Sequence, residues 1–293
     1  MKESIEEKVV AMQPFSVEVS EEFVARTADF PTRSLQLGFV DLGGDRRPKT
    51  NKRYPIVSAS DESLADLPVP NTQFKRLKID LFAFYVDDLP DFWSKRNEGL
   101  LKISVNTRDP QNLMGADKDA TLATNFSVRD GNYAPSFLYR GVFRNVLFEE
   151  FINLQFDLYE LDTDADVYFN KVKSVINGVP EMKNLDIIKG IPYLNLATQL
   201  FESIVTVFGK NADDHIWGEI PILDLNPIVG GAFLRSGAYI LFENINSKDE
   251  TISVSHLEYL NGKVVLKRGT TRTRMPNHLI FGLGIGAYQN ATQ

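Results

Sequence analysis

Apolar and polar residues alternate along much of this chain, the two-residue period of strands whose side chains point by turns to opposite faces. Residues 35–42 carry the pattern and run into the turn signal Gly43-Gly44-Asp45. Residues 77–86 alternate first and then become continuously apolar, as expected of a strand passing from an edge into a core. Short strand signatures follow at 100–106, 122–128 and 136–143, divided by Gly, Asp, Asn and Pro. Residues 148–162 predict another strand, this one ending in acidic side chains. Regular spacing of this kind predicts a mainly β protein with two packed antiparallel sheets.

The period then changes. Val167, Val172, Val175 and Ile176, followed by Leu194, Ala197, Leu200, Phe201, Ile204, Val205 and Phe208, recur at helical spacing and predict at least two helices. Asn177-Gly178 and Gly190-Ile-Pro192 mark breaks, and Gly209 marks a stop. The apolar stripe through Leu194, Phe201 and Phe208 is read as packing against the sheets. Strand pattern resumes at 217–225, 239–244, 252–259, 264–267 and 279–285, with Asn261-Gly262 as the clearest hairpin turn. The helices therefore read as an insertion, at 163–212, between two strands of one sandwich that spans 33–293. Residues 1–32, charged and weakly periodic, are expected to form an N-terminal arm that packs on a neighbouring surface. Residues 58–73, with Pro68, Pro70 and several acids, read as a surface connection.

Composition narrows the function classes. The chain has 293 residues, a net charge of −7 and 43% apolar residues, enough for a sizeable core and opposite in sign to a general nucleic-acid binder. The absence of Cys removes disulfides and thiolate chemistry. The charged start, residues 1–10, lacks the apolar run of a signal peptide, and no window reaches the ~18–20 apolar residues that span a bilayer. A cytoplasmic protein without a transmembrane segment is expected. Asn125-Phe-Ser127 and Asn290-Ala-Thr292 match the glycosylation pattern by chance under that reading.

Catalytic signals are weak. His215, His256 and His278 lie far apart, with neither metal-ligand spacing nor a Gly-x-Ser-x-Gly elbow beside them. Gly282-Leu-Gly284-Ile-Gly286 has too little chain after it for a phosphate-binding helix and reads as a close-packed strand. Acidic side chains cluster in three places: Asp87, Asp88 and Asp91; Asp162, Asp164 and Asp166; Asp213 and Asp214. Calcium needs several oxygen ligands from separate loops, which such clusters can supply if they converge. Helix capping by Asp162 or Asp164 is the competing reading. Basic residues gather at Arg46, Arg47, Lys49, Lys52 and Arg53 and again at Lys263, Lys267, Arg268, Arg272 and Arg274. They suit either phosphate contact or protection of strand edges.

Three stretches together resemble the C2 domain, an antiparallel sandwich that docks on membranes or proteins. Residues 77–90 are similar to its opening strand and first loop, and 148–162 to the strand that enters its acidic third loop. Asp213-Asp-His-Ile-Trp-Gly-Glu-Ile-Pro-Ile is similar to the family's passage from acidic loop through Gly into the next strand. The family's Asp-Pro-Tyr is absent, residues 97–103 standing in its place, and a helical insertion of this length is unusual for the family. The resemblance implies a C2-like β-sandwich with a helical insertion, acting as a non-enzymatic docking module in the cytoplasm or peripheral to a membrane. It also implies calcium as cofactor, with Asp88, Asp162, Asp164 and Asp214 as ligands, and anionic lipid as a partner. A structural subunit that binds protein partners or self-assembles is the alternative, and a hydrolase the third reading.

Overall fold

The computed structural model describes residues 34–43, 48–89, 96–107, 118–135, 137–160, 193–196, 215–246, 248–272 and 274–288. All of them belong to one unit, Thr32–Gln293; the expected arm, residues 1–32, lies outside them. Strands dominate, in three sheets. The first sheet has the order β3 (Val57–Ser58), β1 (Leu35–Val40), β14 (Gly237–Glu243), β17 (His278–Ala287), β4 (Lys75–Val86), with β7 (Asn132–Tyr133) and β8 (Tyr139–Phe148) both paired to β4. The second has the order β10 (Tyr193–Leu196), β6 (Lys118–Arg129), β5 (Arg96–Thr107), β9 (Phe151–Glu160), β12 (Ile222–Asp224), β13 (Ala232–Phe233), with β11 (His215–Glu219) also on β9. A small third sheet runs β16 (Lys263–Leu266), β15 (Leu257–Leu260), β2 (Arg53–Pro55). Among the described ladders only β12–β13 is parallel.

The two large sheets pack face to face. Leu77, Ile79 and Leu81 of β4 point inward while Arg76, Lys78 and Asp80 point out, so alternation places one face of the strand in the core. Opposite them Leu101, Ile103 and Val105 of β5 and Ile152, Leu154, Phe156 and Leu158 of β9 fill the second sheet's inner face. Between Leu81 and Ala83 the register with β17 shifts, and this bulge re-aims the strand so that Phe84 and Val86 continue the inward face. Phe84 meets Phe126 at 4.9 Å and the Trp217 ring at 5.6 Å, both edge to face.

A second, smaller core lies on the other side of the first sheet. Val40, Ala238, Ile240, Phe242 and Ile280 point away from the sandwich and pack with Tyr54, Leu257, Tyr259 and Val264 of the small sheet. Residues 82–86 are continuously apolar because this part of β4 has protein on both sides. The third layer is the part of the architecture that the alternation alone did not announce.

Several expectations change at the level of single elements. The run 148–162 is divided: Phe148 ends β8, Glu149 and Glu150 form the turn, and β9 starts at Phe151. The run 217–225 breaks at Ile220-Pro221, where proline has no amide to give the ladder, into β11 and β12. Tyr193–Leu196, expected at the start of a helix, pairs antiparallel with β6 instead. A strand can form there because Leu-x-Leu also satisfies a two-residue period, so short apolar runs leave the type open. The remaining residues of the expected insertion lie outside the described ones. Residues 58–73 are not wholly superficial, since Ala59 and Leu64 enter the main core. Asn261 (φ 52°) and Gly262 (φ 83°) form the expected two-residue turn of the β15–β16 hairpin.

Phe84 joins three aromatic partners at full burial. Phe84→Ala is expected to lower stability by about 3–5 kcal/mol, read as a reduced urea midpoint with an unchanged m-value.

Candidate functional site

At one end of the sandwich the termini of β4, β5, β9 and β11 come together. Gly99 pairs with Glu160 and Trp217 with Leu158, while Phe84 crosses between the sheets to Phe126 and Trp217. In chain position Asp88 follows β4 by two residues, Asp162 follows β9 by two, and Asp214 immediately precedes β11. Asp162, Asp164 and Asp214 lie outside the described residues. Asp88 is half-buried; its amide donates to Asn277 Oδ1 at 3.3 Å and its carbonyl accepts from Asn277 Nδ2 at 3.0 Å. The neighbouring Asp87 carboxylate is buried against Arg274 Nε at 3.2 Å. Among the described residues no group of three or more His, Cys, Asp or Glu is placed to hold a metal ion.

Asn277 is the centre of this end. Its Oδ1 accepts the Asp87 amide at 2.6 Å, and its Nδ2 also donates to Glu243 Oε1 at 3.0 Å. The same Glu243 oxygen accepts Trp217 Nε1–H at 2.8 Å, so one buried carboxylate ties the second sheet to the first. Next along β17, His278 is fully buried, stacked on Tyr85 at 4.9 Å and edge to face with Tyr133 at 5.6 Å. A carbonyl only accepts, so the contact of Nδ1 with Pro276 O at 2.8 Å puts the proton on Nδ1 and leaves Nε2 to accept the Tyr133 hydroxyl at 3.1 Å. Burial pushes the imidazole pKa down to about 4 and the Tyr85 and Tyr133 phenols up. The histidine is thus held neutral in a packed wall.

The opposite end is built differently. Arg235, buried, donates from Nε to Leu64 O at 2.7 Å and from Nη1 to Leu225 O and Leu234 O, both at 2.9 Å. It thereby gathers the 3-10 turn Glu62–Asp66, the end of β12 and the end of β13. Between those two strands the chain makes a turn, Pro227-Ile228-Val229-Gly230-Gly231, closed by Gly231 N–H to Ile228 O at 2.8 Å. Ile228 and Val229 are 87% and 97% exposed, and Ile222 and Phe151 on the adjoining strands also face solvent. Acidic residues lie on the segments that meet at this end: Asp61 capping the 3-10 turn, Glu62 and Asp66 within it, Glu150, whose carbonyl accepts the Leu225 amide, and Asp224. Of the cations at this end Arg235 and Lys75 are buried, whereas Lys78, paired with Asp80 at 2.7 Å, is half exposed.

Close by, where the small sheet does not cover the first one, a groove of about 630 Å³ runs over β17. Its floor is Gly282, Gly284 and Gly286, which alternate outward, and Arg76, Lys78 and Ser236 stand on its walls. A Cβ at Gly282 would fall 2.5 Å from the Phe82 ring, so that glycine is required by packing, as expected of a close-packed strand. Gly284 and Gly286 differ: among the described residues a Cβ there meets Lys78 Cβ at 3.8 Å and nothing within 4 Å, respectively.

Alternation and motif spacing do not single out this end. A usable signal was present, an Ile-Val pair between Pro227 and Gly230-Gly231 where a turn is ordinarily polar. Of the basic clusters, Lys52 lies over the Tyr54 ring at 4.5 Å, Arg53 pairs with Glu258 at 2.5 Å and Lys263 lies over Tyr133 at 5.0 Å. The first two contacts lie within the small sheet and the third links it to the first sheet; Arg46 and Arg47 lie outside the described residues. No family model, curated protein or solved structure matches the chain.

The folded His278 resists a proton that the unfolded chain accepts near its ordinary pKa of 6.5, so stability is full above that pH and falls as pH drops toward 4. Urea midpoints at pH 7.5 and pH 4.5 should show a loss of about 2–3 kcal/mol from this group. The comparison with His278→Phe, which cannot titrate, isolates it from the carboxylates.

Proposed function

We propose that the protein is a non-enzymatic docking module on a C2-like sandwich, which engages a protein partner through the end bearing the Pro227–Gly231 turn. The observation that carries the reading is the exposure of Ile228 and Val229, two β-branched side chains on a turn. Burying each is worth about 1.5–3 kcal/mol, a gain open to a partner and unused by the isolated chain. The acids on the segments that meet at this end, Glu62, Asp66, Glu150 and Asp224, favour a contact surface with lysine and arginine at its rim.

A photo-crosslinking amino acid at position 228 should give a discrete adduct in cells, whereas the same group at exposed Thr271 should not. Loss of the adduct in a Val229→Asp background is expected; adducts of equal yield at both positions would remove the reading.

A calcium-linked membrane contact at the other end is a second reading, motivated by the convergence there of the termini of β4, β9 and β11. Asp88, Asp162, Asp164 and Asp214 would be its ligands, as the family resemblance implies. Calorimetry at millimolar calcium should then show binding heat that Asp88→Asn reduces, with chelator-sensitive flotation on phosphatidylserine vesicles. No heat and an unchanged melting temperature with calcium would remove this reading.

A further inference from the structure

Tyr133 stands at the seam between the first sheet and the small third one. We infer that this seam is an acid-operated switch: when His278 takes up a proton, the β15–β16 hairpin parts from Tyr133 and bares the apolar back of the first sheet. Three contacts meet on the Tyr133 hydroxyl. Its oxygen accepts Val264 N–H at 3.1 Å and lies 3.1 Å from His278 Nε2 and 3.3 Å from Val264 O. While His278 is neutral, Nε2 accepts the hydroxyl proton, and one side chain joins β17 to the edge strand β16. Tyr133 itself is held by β7, a strand of two residues.

Protonation reverses the bond. An imidazolium carries N–H on both nitrogens, so Nε2 must donate to the Tyr133 oxygen and the hydroxyl must turn to Val264 O. The hydrogen bonds can be remade, but the buried charge stays uncompensated. Among the described residues no carboxylate bonds the imidazole: Asp87 faces Arg274 at 3.2 Å, and Glu243 accepts from Trp217 and Asn277. Tyr85 and Tyr259, near this pair, are phenols that burial keeps neutral. Lys263 of β16 lies over the Tyr133 ring at 5.0 Å, so a charged His278 would place two cations against one ring, one from each sheet. Parting the hairpin relieves both the repulsion and the desolvation. With water on the ring His278 titrates near 6.5, enclosed it titrates near 4, and falling pH therefore favours the open seam. Val264 belongs to the smaller core, so the opening uncovers Ile240, Phe242 and Ile280 and leaves the main core on the sheet's other face intact.

Amide hydrogen exchange of the full chain reads the seam directly, because the Val264 amide is the donor across it. After correction for the intrinsic effect of pH, Val264 should exchange ~30-fold faster at pH 5 than at pH 7.5. At both pH values it should exchange faster than the slowest amides of β5 and β9, which wait for global unfolding. His278→Phe, which cannot titrate, should abolish the acceleration. Tyr133→Phe keeps the ring and removes the latch, so it should speed Val264 exchange already at pH 7.5. Val264 exchange that coincides with the slowest β5 and β9 amides overturns the switch, since the hairpin would then open only with the whole fold. A rate indifferent to pH, an acceleration that survives His278→Phe, or unchanged Val264 protection in Tyr133→Phe overturns it as well.

Discussion

Burial of the same strands on two faces is the constraint from which the rest of this architecture follows. β14 sends Tyr239 and Leu241 into the main core and Ala238, Ile240 and Phe242 into the smaller one. A strand so placed cannot lie at an edge, and its one charged residue, Glu243 at its end, is held by Trp217 and Asn277; β1 and β17 flank it and the small sheet covers its back. The cover is incomplete. Where the small sheet stops, the outward residues of β4 turn from Ala83 and Tyr85 to Asp80, Lys78 and Arg76, and the groove begins. The site is therefore the uncovered half of a sheet whose other half had to be covered.

The two ends of the sandwich solve the problem of buried polar groups in contrasting ways. At one end Trp217, Glu243 and Asn277 form a chain of hydrogen bonds that fixes one sheet over the other, and a half-satisfied member in so low a dielectric would be costly. At the other end a guanidinium is saturated by backbone carbonyls, which hold three loops without fixing an acidic partner. Its positive charge is favoured by the nearby Asp224 carboxylate.

How much of this was legible in the sequence differs by element. Most long strands of the two large sheets were legible in the sequence pattern, whereas β10 was expected as the start of a helix and β14, buried on both faces, shows no alternation. The Asn261-Gly262 hairpin followed from turn chemistry alone. Residues 252–259 read as one strand, whereas Val254–His256 is a 3-10 turn, because local apolar content does not report how a loop approaches a neighbouring sheet. The acidic clusters were visible as residues but not as engagements: nothing local shows that Arg274 reaches Asp87, or that Asn277 clamps the backbone of Asp88. The exposed turn was missed because apolar residues in sequence are ordinarily counted toward the core, and only coordinates show which of them failed to enter it.

β17 has a further consequence, in time rather than in space. It is the last described strand and yet lies between β14 and β4, paired along ten residues with the latter. During synthesis the second sheet has its last described strand, β13, by residue 233, while the first sheet waits for 54 more residues. At about 5–20 residues per second that interval is roughly 3–11 s, through which β4 and β14 expose open edges and unburied apolar faces. A nascent chain of this topology needs protection from neighbouring nascent chains over those seconds, and a ribosome stalled before residue 278 would carry half a sandwich with its sticky side outward.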